Sequence, residues 1–171
     1  MYVLLLLLRI IHIGCGVFWA GSILFLAFYV FPAVQRSGPD GGKFMQAISS
    51  TNRFAQVLPL MALLTILSGA VLMWRQSGEF TPEWFATKYG LSLTIGGALA
   101  VIALIQGMSV NKPAVTRIER IGQRIQAHGG VPNDAERAEM IALRARVIGS
   151  TQLLAVWLSL AVIAMAIARY L

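Results

Sequence analysis

Charged residues are scarce in this chain of 171 residues. They make up 12% of the sequence, about half of the share that soluble domains carry. They are also unevenly placed, because four long segments contain almost none and the connections between those segments contain most of them. This distribution excludes an ordinary soluble domain.

Other absences exclude particular chemistries. The single cysteine, Cys15, cannot form a disulfide within the chain. No Asp or Glu lies inside an apolar segment, which argues against a carboxylate path for protons or cations. The chain also lacks a glycine-rich phosphate loop, an HExxH motif and a CxxC pair, so the corresponding enzyme classes are disfavoured.

Hydrophobic residues are abundant, at 57% of the chain. They form four apolar segments at approximately residues 2–34, 54–74, 89–110 and 147–168. Each segment reaches the roughly 20 residues that a helix needs to cross a bilayer. Lipid offers the backbone no hydrogen-bond partner, so each segment must be helical. The sequence therefore predicts an all-α fold, an integral membrane four-helix bundle that forms a single membrane domain over residues 1–171.

The net charge of +7 comes mainly from basic residues that flank the apolar segments. We therefore expect a lipid bilayer as the partner and no nucleic acid. Ten basic residues lie in the connections after the first and third segments, against three on the opposite side. The positive-inside rule then predicts that both connections lie in the cytoplasm and that both termini lie on the outer side of the membrane. The ten are Arg36, Lys43, Arg53, Lys112, Arg117, Arg120, Arg124, Arg137, Arg144 and Arg146, and the three are Arg75, Lys88 and Arg169.

The connection over residues 112–146 is predicted to be a cytoplasmic helical hairpin. Glycines break it midway, and Asn133 with Glu136 has the spacing of a capping box that opens the second arm. The hairpin is either a solvated extension that orders the third and fourth helices, or a docking surface. As a docking surface it would take anionic lipid, a second copy or a larger membrane complex. The first arm of this hairpin carries apolar residues at helical spacing, namely Val115, Ile118, Ile121 and Ile125.

A further short helix is expected over residues 43–52, in the connection between the first and second apolar segments.

Two ionisable residues, Arg9 and His12, interrupt the first apolar segment. Such residues usually face a bundle interior or an aqueous cavity. Helical spacing places them on one face with Gly16 and Trp19. A glycine one turn after a histidine leaves room for a flat ring such as a porphyrin, and an arginine one turn before it can pair with a propionate. The alternative is that His12 hydrogen-bonds a neighbouring helix while Arg9 extends to the interface.

Lys88 opens the third apolar segment on the side where the first segment begins. Its long side chain can reach the cavity predicted beside His12, although an interfacial anchor is the simpler role. Met73 and Met165 lie at similar depth, and thioethers bind haem iron or copper. Copper held by His12, Cys15 and a methionine is therefore an alternative.

The run from His12 to Gly21 resembles the first-helix pattern of small bacterial membrane proteins related to the copper-resistance protein CopD. HemJ-type protoporphyrinogen oxidases open with a similar pattern. The tract from Trp84 to Lys88 resembles the HemJ segment that leads into the third helix, and Leu67-Ser68-Gly69 resembles a segment of its second helix. The resemblance covers the first three helices. It implies a protein of the bacterial inner membrane, in which the outer side that holds both termini is the periplasmic side. It implies a haem b held by the first-helix histidine and this lysine, which are His12 and Lys88 here.

The leading hypothesis from the sequence is a bundle that binds haem b for redox or porphyrin chemistry. His12 would be an axial ligand, Lys88 a second ligand or a propionate partner, and Arg9 a propionate partner. Copper handling is one alternative. A non-catalytic accessory subunit or assembly factor of a larger membrane complex is the other. The sequence leaves open whether the chain is an enzyme.

Overall fold

The computed structural model describes residues 2–38, 41, 42, 44, 45, 47 and 53–171. These residues are predominantly helical. Four helices are long and apolar enough to cross a membrane. The all-α prediction is thus confirmed for these residues, and the helices are compatible with an integral membrane protein. The helix expected over residues 43–52 falls largely outside the described residues. The helices are α1 (Tyr2–Arg36), α2 (Phe54–Gln76), the short α3 (Pro82–Ala86), α4 (Lys88–Ala127) and α5 (Asp134–Ile167), and a 3-10 turn follows at Ala168–Tyr170.

Local side chains explain where the later helices begin. The Thr87 hydroxyl accepts a first-turn backbone N–H and so caps α4 at its start. Asn133 and Glu136 form a reciprocal capping box at the start of α5. Two of the long helices also contain a π-helical turn, at Leu26–Val30 in α1 and Gly107–Asn111 in α4. Each such turn changes the rotation of the residues that follow it.

Packing among the long helices joins α1 to α2 and α4 to α5 most closely, and α1 and α4 each also contact both α2 and α5. In this arrangement α1 and α4 lie diagonally opposite each other. The shared core is rich in alanine, whose small side chain lets helices approach closely. Its buried members are Trp19, Ala20, Ile23, Ala27, Ala62, Ala100, Ala103, Leu154, Ala155, Leu158 and Ala161.

Interhelical hydrogen bonds fix the register of α4 against α5. The Ser92 hydroxyl donates to the Ala164 carbonyl oxygen at 2.7 Å. The Gln106 amide donates to the Ser150 carbonyl oxygen at 3.0 Å, and its own oxygen accepts from Trp157 Nε1 at 3.1 Å. These partners match in the antiparallel sense, so a shift of one residue would break several bonds that lipid cannot replace.

The helices beyond the apolar segments form a separate pair of arms. Here α4 continues from Lys112 to Ala127 and α5 begins at Asp134. Arg117 Nε donates to Glu139 Oε1 at 2.7 Å, and the side chain of Ile121 between the arms is completely buried. We call this part of the molecule the hairpin end. The opposite end, which holds Tyr2, Gln76, Lys88 and Tyr170, is the terminal end.

Candidate functional site

His12 on α1 makes a direct hydrogen bond to the backbone of α2. Its Nδ1 atom lies 2.8 Å from the Thr65 carbonyl oxygen, and the side chain is half-buried. A carbonyl oxygen can only accept, so Nδ1 must carry the proton in this bond. In the neutral imidazole, the Nε2 atom then keeps its lone pair. His12 therefore has a fixed ring orientation and a second nitrogen able to bind a ligand.

Gly69 on α2 makes room for this imidazole. A Cβ atom built at Gly69 would lie 2.7 Å from His12 Cε1 and 3.0 Å from His12 Nδ1. Non-bonded carbon atoms prefer separations of about 3.5–4 Å, so an alanine here would displace the ring. Gly69 is one helical turn after Thr65, so one turn of α2 supplies both the acceptor and the space.

Polar side chains on the same turn of α2 are satisfied locally. The Thr65 hydroxyl donates to the Met61 carbonyl oxygen at 2.8 Å. The Ser68 hydroxyl donates to the carbonyl oxygens of Leu64 and Thr65. Such bonds to the preceding turn are a common way for hydroxyl groups to be accommodated in apolar helices. The Thr65 carbonyl oxygen is thus a shared acceptor that holds His12 and Ser68 together.

Gly16 and Trp19, which the sequence places on the same face as His12, both pack within the described helices. A Cβ atom at Gly16 would lie 3.4 Å from the Thr65 methyl carbon, so Gly16 packs against α2. Trp19 is buried in the shared core. Cys15 is half-buried and not in a disulfide. Gly16 and His12 therefore both lie against Thr65 of α2, whereas Trp19 lies about one turn after Gly16 on α1 and packs in the shared core.

The two predicted cationic partners lie nearer the terminal end than His12. Arg9 is exposed, one turn before His12 on α1. Lys88 is exposed at the start of α4, next to Tyr89, whose hydroxyl donates to Gln76 Oε1 at 3.1 Å. Gln76 is seven residues beyond Gly69, which is about 10 Å along a helix. Lys88 is therefore displaced from His12 by roughly 10 Å along the bundle axis.

The methionines named as possible ligands are half-buried. Met165 packs against α4, because a Cβ atom at Gly96 would lie 2.8 Å from Met165 Cγ. Met73 lies in the last two turns of α2. Within the part of the chain that the structure describes, no three His, Cys, Asp or Glu side chains come together as a metal-binding group. Of the two histidines of the chain, only His12 lies in this region, because His128 contacts Glu136 at the hairpin end.

The second histidine, His128, lies at the far end of the molecule. Its Nε2 atom is 3.2 Å from Glu136 Oε1, at the start of α5. The pKa of Glu136 is lowered, first by the backbone N–H of Asn133 and then by His128. The pKa of Glu139 in the same arm is lowered by the hydrogen bond from Arg117. His128 therefore belongs to the structure of the hairpin end and is remote from His12.

Comparison of the chain with protein-family models, with curated proteins and with solved structures gave no match. The resemblance to CopD-related and HemJ-type proteins therefore stays a prediction. The structure shows the hydrogen bond from His12 to a neighbouring helix that the sequence offered as the alternative to a ligand role. The sequence could not identify the Thr65 carbonyl oxygen as the acceptor, because every residue has one. Gly69 belongs to the tract Leu67-Ser68-Gly69 that carries part of the resemblance, yet only the packing of α1 on α2 shows that the His12 imidazole needs the space it leaves.

Proposed function

We propose that this chain is an integral membrane protein that binds haem b near the terminal end of the helices, with His12 as an axial ligand. The observation that supports this most is the arrangement of the imidazole. The Thr65 carbonyl oxygen accepts from Nδ1, Gly69 accommodates the ring, and Nε2 is the nitrogen left for a ligand. Histidines that bind metals usually have their other nitrogen held in this way.

A haem suits the remaining features better than a bare metal ion does. A bare ion needs several protein ligands, whereas haem brings four nitrogens of its own and needs only axial donors from the protein. Haem is also amphiphilic, and Arg9 and Lys88 lie between His12 and the terminal end, where they can pair with propionates. The displacement of Lys88 by roughly 10 Å along the axis favours the propionate role over direct ligation. Haem, when bound, would supply one-electron redox chemistry.

The proposed placement is a bacterial inner membrane, with the terminal end on the periplasmic side. The excess of basic residues in the two connections at the hairpin end supports this orientation. Aromatic side chains at the terminal end add support, because such rings favour membrane interfaces. They include Trp74, Trp84, Tyr89 and Tyr170.

The test is the reduced-minus-oxidised visible spectrum of the protein purified in detergent after expression with ample haem. We expect Soret and α bands that disappear or shift strongly in His12→Ala. His128→Ala is the matched control, because it removes the other histidine of the chain at the opposite end. Its spectrum should equal that of the unmodified protein.

Two outcomes would remove the haem assignment. One is a well-folded protein without haem bands, and the other is a set of bands unchanged by His12→Ala. Metal analysis of the same sample distinguishes copper handling, since copper lost in both His12→Ala and Cys15→Ala would point to that alternative. If neither haem nor copper is present, an accessory role for the hairpin end becomes the leading hypothesis.

A further inference from the structure

A groove of about 360 Å³ lies on α4 where the apolar segment meets the hairpin end. It begins at the π-helical turn Gly107–Asn111 and extends along the first turns of the arm. Its position matters because the last apolar residues and the first basic residues of α4 both contribute to it. The lining residues are Met108, Lys112, Pro113, Thr116, Arg117 and Arg120.

The groove carries uncompensated positive charge. Arg117 is paired with Glu139 at 2.7 Å. Lys112 and Arg120 are exposed, and neither has an acidic partner among the described residues. The Thr116 hydroxyl adds a neutral donor between them. One ammonium group, one hydroxyl group and one guanidinium group thus follow each other along two turns of the groove, a combination that attracts phosphate-type anions.

Apolar surface continues from the groove along α4 toward the core. Met108 is 42% exposed, Ile105 is 60% exposed and Val101 is 40% exposed. Val101 and Ile105 are one helical turn apart and Met108 follows three residues later. Met108 and Lys112 both line the groove, so this apolar surface leads to Lys112. A free phosphate would use only the charged part of this surface, whereas an anionic lipid would use both parts.

We propose that this groove binds an anionic phospholipid, with Lys112 and Arg120 holding the phosphate and the face of Val101, Ile105 and Met108 contacting an acyl chain. Basic pockets at the ends of membrane helices commonly bind such headgroups. The proposal rests on the membrane placement of the helices but not on haem, because His12 lies near the other end. A protein partner is less suited, since half of the surface lies within the apolar segment.

Native mass spectrometry of the full chain in detergent tests the proposal. Phosphatidylglycerol is titrated against the neutral lipid phosphatidylcholine, and bound adducts are counted at each concentration. We expect tighter binding of phosphatidylglycerol. Lys112→Gln and Arg120→Gln should each weaken it about fivefold, the effect of one basic residue near an anionic headgroup. Lys112→Arg should retain the affinity because it keeps the charge.

The matched control is the double variant Arg124→Gln/Arg137→Gln, which removes two exposed hairpin charges outside the groove. It should bind phosphatidylglycerol like the unmodified protein. Equal binding of both lipids, or full affinity in Lys112→Gln/Arg120→Gln, overturns the proposal. So does displacement of the lipid by inorganic phosphate, which would indicate a site for free anions. A groove variant that keeps its lipids but loses a co-purified protein would assign the groove to a protein partner instead.

The haem spectrum of the same samples separates this inference from the proposed function. Lys112→Gln/Arg120→Gln should leave any haem bands unchanged, and His12→Ala should leave phosphatidylglycerol binding unchanged. Loss of lipid selectivity in the first variant therefore supports the groove even if no haem is found.

Discussion

Replacing Gly69 with alanine perturbs the His12 site without touching His12 itself. The new Cβ atom would lie 2.7 Å from His12 Cε1 and 3.0 Å from His12 Nδ1. Main-chain hydrogen bonds hold the backbone of α2 in place, so the imidazole is the group that has to move. A rotation that relieves this contact also breaks the 2.8 Å hydrogen bond to the Thr65 carbonyl oxygen.

The expected loss of stability can be built from three contributions. Overpacking costs about 1–3 kcal/mol, and an interhelical hydrogen bond in a membrane contributes about 0.6 kcal/mol. The higher helix propensity of alanine opposes these by up to about 1 kcal/mol. We therefore expect Gly69→Ala to lower the free energy of unfolding by about 1–3 kcal/mol. Unfolding by SDS in mixed micelles measures this change. Gly14→Ala is the control, because no atom lies within 4 Å of a Cβ built there.

A double-mutant cycle decides whether the cost arises at His12. In a His12→Ala background the ring is gone, so Gly69→Ala should be neutral or slightly stabilising. The coupling between the two substitutions should then be about 2–3 kcal/mol, because the helix-propensity gain cancels in the cycle and the overpacking and the lost hydrogen bond remain. An equal cost of Gly69→Ala in both backgrounds would refute the reasoning, because the alanine would then be meeting something other than the imidazole. Any haem bands should weaken in Gly69→Ala and persist in Gly14→Ala.

Three further predictions concern the rest of the molecule. Gln106→Leu should destabilise the α4–α5 pair by about 1–2 kcal/mol in the same SDS assay, since it removes the hydrogen bonds to Ser150 and Trp157; no change would mean that these bonds do not form. Ile121→Ala should cost about 2–4 kcal/mol because its side chain is fully buried, and should speed limited proteolysis of the hairpin end; Ile141→Ala, at an exposed position, should not. Because the pKa of Glu136 is lowered in the folded chain, its stabilising contribution is present above the ordinary glutamate range and is lost as the pH falls below it. Hydrogen exchange near the start of α5 should therefore accelerate in acid, and Glu136→Gln should flatten that dependence.

The helices themselves follow from the composition of the chain. An apolar segment in lipid has to form its backbone hydrogen bonds within itself, and an α-helix does this. The four segments at 2–34, 54–74, 89–110 and 147–168 therefore predict α1, α2, α4 and α5. The lengths of α4 and α5 beyond those segments depend on weaker signals. The Asn133 and Glu136 spacing locates the start of α5 because a capping box uses side chains only three residues apart.

The surroundings of His12 depend on the register between helices, which a single sequence does not specify. Spacing along α1 identifies which residues share a face with His12, and so it directed attention to Gly16. The space beside the imidazole comes instead from Gly69, on another helix. The hydrogen-bond acceptor of His12 is a backbone carbonyl oxygen, and because every residue has one, the sequence does not distinguish Thr65 from its neighbours. Contacts within one helix were therefore predictable, whereas contacts across α1 and α2 required coordinates.

The two proposed sites are far enough apart to behave independently. Trp19 on α1 and Ala100 on α4 belong to the same buried core. His12 lies seven residues from Trp19 toward the terminal end, and Lys112 lies twelve residues from Ala100 toward the hairpin end. Helical rise makes these separations about 10 Å and about 18 Å, in opposite directions along the bundle. Substitutions more than about 10 Å apart normally have additive effects. Any measured coupling between His12 and Lys112 would therefore have to pass through α4 and the alanine core as a concerted movement of whole helices.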